Sequence, residues 1–154
     1  MKIKKVLLAV LLLIMAGTFT LCSKKGDGDC LDSFNIVHDE SASIVGKWQL
    51  IKSISSGFGA PVTCTDFSQF NIVYEFKSNK VVVISVKIDH PEIWPKAGEY
   101  TYSLGDDNNG SMGGLPYRLR ISEHNTYWYQ LNSQKLIMDN RPLDGEALLF
   151  IKIN

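Results

Sequence analysis

The side chains that most often carry out catalysis are few and scattered in this chain. Its three histidines, His38, His90 and His124, lie in separate loop or turn stretches. None lies beside a serine or cysteine in a recognisable nucleophile motif. A catalytic triad is defined by geometry and not by sequence order, but histidines in polar stretches are more often surface residues. We therefore predict no catalytic residue and no enzymatic activity.

Metal-binding patterns are equally weak. No two cysteines, and no cysteine and histidine, have the short spacing of a zinc site. The stretch 106–110 offers oxygen ligands suited to calcium, but it lacks the spaced carboxylates and the closing glutamate of an EF-hand loop. We interpret it as a solvated hairpin loop, and we predict no metal site and no cofactor.

Aromatic side chains are the residues here that could form a binding site. Rings that face inward could line an apolar pocket, with phenol hydroxyls as polar groups that orient a ligand. The candidate ligand-binding residues are Trp48, Tyr74, Phe76, Tyr102, Tyr117 and Tyr129. Trp94 lies in a proline-flanked stretch, so we expect it to be exposed, as a lid or a partner contact.

The elements that would position these aromatics are β-strands. The hydropathy pattern after Gly46 has a period of two, and no apolar helical pattern of useful length follows the N-terminal apolar run. Short connections such as Ser78-Asn79 predict that successive strands pair as hairpins. The predicted strands cover residues 47–54, 70–77, 80–88, 99–104, 117–121, 126–131, 135–139 and 146–153. A short helical turn is expected within residues 32–43.

Eight antiparallel strands can close on themselves, which removes the unpaired edges of an open sheet. The predicted fold is therefore all-β, an eight-stranded antiparallel up-and-down barrel. A barrel of this size either is filled by side chains or holds one small ligand. We expect the aromatics to fill its lower half, and we leave a pocket open for its upper half.

Composition excludes several classes of function. The chain has 16 basic and 16 acidic residues, but three of the basic ones lie within the first five positions. The remainder is therefore mildly acidic, which argues against binding to nucleic acid through a basic surface. A single long apolar run excludes a multi-span helical membrane protein.

The N-terminus has the pattern of an export signal. Three lysines within Met1–Lys5 precede the unbroken apolar run Val6–Ala16. The alternative is a transmembrane anchor, but the apolar stretch is shorter than the roughly 20 residues that span a bilayer. We therefore predict a signal peptide over residues 1–21.

The sequence Phe19-Thr20-Leu21-Cys22 resembles the lipobox of bacterial lipoproteins, in which the cysteine carries a diacylglyceryl lipid. This resemblance implies a lipid anchor on Cys22 and a flexible tether over residues 22–43. The alternative is ordinary cleavage near Gly17, with Cys22 as a free thiol. If Cys22 is acylated, Cys30 and Cys64 remain as an even pair. A disulfide between them would contribute roughly 3–4 kcal/mol.

The remainder of the chain resembles a known family. Ile44-Val45-Gly46-Lys47-Trp48-Gln49-Leu50 matches the Gly-x-Trp motif that opens lipocalins, and residues 144–154 resemble the last strand of lipocalin-like lipoproteins common in Bacteroidota. The resemblance covers residues 44–154 and implies a barrel with Trp48 inside its closed end. The chain departs from larger lipocalins, since it has neither their long omega loop nor their C-terminal helix.

These observations predict a lipid-anchored protein of the cell envelope, held in the outer membrane and facing the periplasm or the surface. Its expected partner is a small apolar molecule bound in the barrel mouth. The alternative is a non-enzymatic interaction or inhibitor-like barrel that binds an envelope protein through its loops. A ligand binder requires an internal void at Tyr74, Tyr102 and Tyr117, whereas an interaction protein should expose an apolar patch at Trp94 or Trp128.

Overall fold

The structure is a computed structural model that describes residues 28–55, 61–87, 96–106, 117–123, 125–143 and 145–154. The predicted signal peptide and Cys22 lie outside these residues, as do His90, Trp94 and His124. None of the helices within the described ranges is long and apolar enough to cross a membrane.

The described chain consists almost entirely of antiparallel strands. They are β1 (Gly46–Ser55), β2 (Thr63–Asp66), β3 (Ile72–Phe76), β4 (Val81–Val86), β5 (Gly98–Asp106), β6 (Tyr117–Ile121), β7 (Asn125–Leu131), β8 (Lys135–Asp139) and β9 (Glu146–Ile153). From β3 to β9 each strand pairs with the next, and β1 pairs with both β3 and β9. The prediction of a closed, eight-stranded antiparallel barrel is therefore confirmed, with β2 as an additional strand.

Alternating side chains explain why the barrel closes around one core. On β3, Ile72, Tyr74 and Phe76 are buried, and the residues between them are partly exposed. Tyr74 lies opposite Trp48 on β1, and Leu50 on β1 lies opposite Phe150 on β9. Inward-facing rings and aliphatic chains from all eight barrel strands therefore meet in one cluster.

The additional strand outside the barrel, β2, was not predicted from the sequence. Its four residues are all exposed, so its sequence lacks the alternation that identifies a half-buried strand. It pairs with the second half of β1, beyond the residues of β1 that pair with β3. A bulge in β1 between Leu50 and Lys52 shifts the register against β9 at this point.

Residues 28–45, here called the strap, attach to the barrel at several points. The strap begins with a short helix, α1 (Gly28–Ser33), and Cys30 on this helix forms the predicted disulfide with Cys64 on β2. Further along, Asp39 donates a backbone hydrogen bond of 2.7 Å to Leu131 on β7. The sequence predicts a flexible tether over residues 22–43. From Gly28 onward the structure instead shows a segment that is held on the barrel.

The strap also explains burial on the outside of the barrel. Ile137 on β8 and Leu149 on β9 are opposite one another and face away from the core, yet each is only 3 % exposed. The strap is attached to Cys64 on β2 by the disulfide and to Leu131 on β7 by the Asp39 hydrogen bond. In the order of paired strands, β1, β9 and β8 lie between β2 and β7. We therefore attribute the burial of these outward side chains to the strap. Burial on both faces produces the unbroken buried run Ala147–Phe150 in β9.

Candidate functional site

The two ends of the barrel differ in how they are closed. Because successive strands run in opposite directions, β1 begins at the same end as the turns at residues 77–80 and 132–134. We call this the lower end. The upper end contains the ends of β1, β6 and β8. The strap enters β1 at the lower end.

The indole of Trp48 closes the lower end together with the strap. Trp48 is fully buried, and its ring N–H donates a hydrogen bond of 2.7 Å to the backbone oxygen of Ile44 in the strap. Gly46 has a φ of 132°, which side-chain-bearing residues rarely adopt. A glycine is therefore required where the strap turns into β1.

Other candidate residues fill the same lower half. The rings of Phe76 and Tyr102 meet edge to face with centroids 5.1 Å apart, and the Tyr102 hydroxyl donates to the backbone oxygen of Lys77 at 2.9 Å. The ammonium of Lys152 lies 5.1 Å from the centre of the Trp48 ring. These rings and hydroxyl groups pack against, or form hydrogen bonds with, other groups of the protein. This arrangement matches the filled lower half that we expected.

Tyr117 and Tyr129 contact the strap through His38. The imidazole stacks on the Tyr117 ring at 4.0 Å and meets the Tyr129 ring at 5.8 Å. Its Nδ1 accepts a hydrogen bond of 3.1 Å from the backbone N–H of Leu131. The Tyr117 hydroxyl donates to Glu40 at 2.8 Å. The structure therefore assigns His38 a role in holding the strap, which its polar sequence context did not indicate.

His38 makes the strap sensitive to acid. Burial lowers its pKa below the ordinary value of 6.5, against the opposing charges of Glu40 and Asp39. The folded state thus favours the neutral imidazole, whose Nδ1 can accept the Leu131 hydrogen bond. The stabilisation is complete above pH 6.5 and is lost as the pH falls through the lowered pKa.

We predict that acidification from pH 7.5 to pH 5 lowers the urea midpoint of the wild type more than that of His38→Gln. The glutamine oxygen can accept the same hydrogen bond but does not titrate, and the other histidines are present in both proteins. Urea denaturation at the two pH values measures this difference. Parallel losses in the two proteins would show that His38 does not cause it.

Tyr74 occupies a different environment from the other candidates. It is fully buried in the barrel, with its ring 4.9 Å from that of Phe150. No group among the described residues forms a hydrogen bond with its hydroxyl. Burial raises the pKa of Tyr74 far above its usual value, and the nearby phenols of Tyr127 and Tyr100 raise it further. The phenols of these three tyrosines therefore lie in one region, which extends from the buried Tyr74 to the Tyr100 hydroxyl near the surface.

This region, here called the phenol cluster (Tyr74, Tyr100 and Tyr127), lies toward the upper end. The Tyr100 hydroxyl donates to the backbone oxygen of Lys96, which precedes β5 at that end. Burial raises the pKa of Tyr127 to about 12, and Glu146 at the start of β9 adds to the shift. Sequence reasoning missed Tyr100, Tyr127 and Glu146 as site residues, because alternation alone does not show which residues of different strands meet.

The described residues can be checked for two further kinds of site, a metal site and an exposed apolar patch at Trp128. Among the described residues, no group of three or more histidine, cysteine, aspartate or glutamate side chains could hold a metal ion. Trp128 faces outward but is only 4 % exposed, and the guanidinium of Arg118 lies 5.7 Å from its ring centre. The exposed apolar patch that an interaction protein would present at Trp128 is therefore not found there.

Comparison with known proteins gives no relative. No protein-family model, no curated protein and no solved structure matches the chain.

Proposed function

We propose that this protein binds a small, mostly apolar ligand in the upper half of its barrel, where the Tyr74 hydroxyl forms a hydrogen bond with it. The observation that carries the proposal is the fully buried Tyr74 hydroxyl, which has no hydrogen-bond partner among the described residues. A buried polar group left unpaired costs about 1–3 kcal/mol. A phenylalanine would avoid this cost, so the hydroxyl is best explained by a partner that arrives with a ligand.

The packing of the barrel supports a small ligand. Trp48, Phe76 and Tyr102 fill the lower half and are bonded to the chain itself. We therefore place the ligand in the upper half, around the phenol cluster. An eight-stranded barrel is wide enough for one small ligand at most, so we propose a compact molecule and not a long acyl chain.

We also propose that the protein is an exported lipocalin-like lipoprotein, anchored in the outer membrane by a lipid on Cys22. Support comes from the export pattern of residues 1–21, the lipobox-like sequence at Cys22 and the burial of Trp48 at the strap-closed end. Cells grown with labelled palmitate test the anchor. Wild-type protein should carry the label and Cys22→Ser should not, and an unlabelled wild type would refute the anchor.

Calorimetric titration with 4-phenylbutan-1-ol tests the binding proposal. This probe has an apolar body and a hydroxyl oxygen that can accept a hydrogen bond from Tyr74. We expect wild-type protein to bind it, and Tyr74→Phe to bind about fivefold more weakly, since one hydrogen bond contributes about 1 kcal/mol. The matched control is Tyr102→Phe, whose hydroxyl already donates to Lys77, and its affinity should be unchanged.

Stability without ligand gives a second, independent prediction for the same variants. Tyr74→Phe removes an unpaired buried hydroxyl, so the free energy of unfolding should rise by about 1 kcal/mol. Tyr102→Phe removes a formed hydrogen bond, so its free energy of unfolding should fall by about 1 kcal/mol. Urea denaturation measures both. A destabilised Tyr74→Phe variant that binds the probe normally would overturn the proposal.

A further inference from the structure

An acidic residue, Glu146, lies at the upper rim of the barrel, at a register position that alternates in phase with the core residues Leu148 and Phe150. Leu119 lies opposite Tyr127, and both belong to the core cluster. Asn140, which follows β8, donates its backbone N–H to the backbone oxygen of Glu146, and Glu146 lies opposite Ser55. Because Trp128 lies opposite Asp139, the next position places Asn140 opposite Tyr127. One inward-facing row therefore joins Tyr127 to Glu146.

Two polar groups of this row are hydrogen-bond acceptors, the Glu146 carboxylate and the Asn140 side-chain oxygen. Glu146 is exposed at the rim of the barrel, and its carboxylate is close enough to Tyr127 to raise the pKa of that phenol. The side-chain oxygen of Asn140 is buried, with no hydrogen-bond partner among the described residues. Arg141, the cation of the same turn, is held on Asp139 by a 2.6 Å ion pair. Arg141 is therefore engaged with Asp139 and not with the carboxylate of Glu146.

We propose that the ligand of the phenol cluster is an organic amine, whose protonated nitrogen lies against Glu146 and Asn140 while its apolar body lies among the tyrosine rings. A cation near tyrosine faces is attracted by the π electrons of the rings. The ammonium has three N–H donors and no acceptor, and these can be shared between the Glu146 carboxylate, the Asn140 oxygen and the Tyr74 hydroxyl oxygen, which then accepts. A carboxylate ligand would instead be repelled by Glu146. This inference depends on the proposed function, because it names the chemical class of the ligand for the same site.

Three probes of nearly equal shape separate the amine from other classes at pH 7. They are 4-phenylbutylamine, 4-phenylbutan-1-ol and 4-phenylbutanoate, titrated calorimetrically into wild-type protein. We expect the amine to bind about fivefold more tightly than the alcohol, as a partly exposed ion pair and ring contacts allow. The carboxylate should bind more weakly than the alcohol.

A matched pair of variants tests the assignment to Glu146. Glu146→Gln keeps the shape of the side chain but removes its charge. The affinity for the amine should therefore fall to that for the alcohol, and the affinity for the alcohol should not change. Glu123→Gln removes an exposed carboxylate from the turn between β6 and β7 at the same end. This control should leave the amine preference intact.

The outcomes separate the ligand class from the site itself. Equal affinity for amine and alcohol, or an amine preference that survives Glu146→Gln, overturns the amine assignment. If the alcohol still binds and Tyr74→Phe still weakens its binding, the proposed function stands without the amine assignment. If none of the three probes binds, the proposed function fails and the amine assignment fails with it.

Discussion

Replacement of Trp48 by alanine is expected to lower the free energy of unfolding by about 4 kcal/mol, the largest effect of any single substitution considered for this protein. Truncating a buried tryptophan to alanine typically costs 3–5 kcal/mol through lost burial and the cavity left behind. Trp48 is fully buried, and its removal also leaves the Ile44 oxygen without its 2.7 Å donor. The loss would detach the strap from the lower end.

Urea denaturation of Trp48→Ala at pH 7 measures this effect. The matched control is Val45→Ala, since Val45 is close by in the strap but is 40 % exposed. Its effect should stay within about 0.5 kcal/mol. A loss of less than about 1 kcal/mol in Trp48→Ala would contradict the role of Trp48 as the residue that closes the barrel.

Removal of the disulfide should destabilise the fold by about 4 kcal/mol. Cys30 and Cys64 are 34 residues apart in sequence, and closing a loop of that length restricts the unfolded chain by this amount in the chain-entropy model. The double variant Cys30→Ser, Cys64→Ser should also loosen the strap. Ile137 and Leu149 would then become accessible on the outer face.

Urea denaturation and the fluorescence of anilinonaphthalene sulfonate measure these two consequences. The double variant should unfold at lower urea and bind the dye in the absence of urea. Cys22→Ser is the control, since it should change neither quantity. Wild-type stability in the double variant would show that the strap is held without the disulfide, by the His38 and Asp39 contacts alone.

The strands were predictable because each barrel strand is half buried. Alternation on β3 and β6 shows directly in the sequence, and short polar turns between strands imply antiparallel neighbours. In β9 the outward residues are also buried, yet the apolar content of residues 147–150 still predicts a strand. The strand β2 was not predictable, because its pairing with β1 depends on backbone hydrogen bonds and not on an apolar face.

The strap was not predictable for a different reason. Its sequence is polar enough to indicate a tether, and its attachment depends on a few specific contacts with distant residues. His38 contacts Leu131, Tyr117 and Tyr129 only because the barrel places the beginning of β6 and the end of β7 next to each other at the lower end. The local sequence around His38 contains no sign of these partners.

The candidate site was predictable in part. Composition identified tyrosine and tryptophan as the residues that could bind a ligand, and the resemblance implied the position of Trp48. Among the six candidate residues, only Tyr74 belongs to the phenol cluster, and Tyr127 and Glu146 were missed. Their proximity depends on the register of β7, β8 and β9, which closure of the barrel sets and which the sequence does not show.

Native mass spectrometry, without reduction, of the full-length protein gently extracted from the membranes of the cells that make it tests the central claim most directly. We predict a protein carrying a diacylglyceryl mass on Cys22 and a second, small mass that dissociates on collisional activation. The small mass should be several-fold less abundant in Tyr74→Phe protein prepared in the same way. A clean protein mass from the wild type, with no dissociable component, would contradict the claim that the upper barrel binds a ligand.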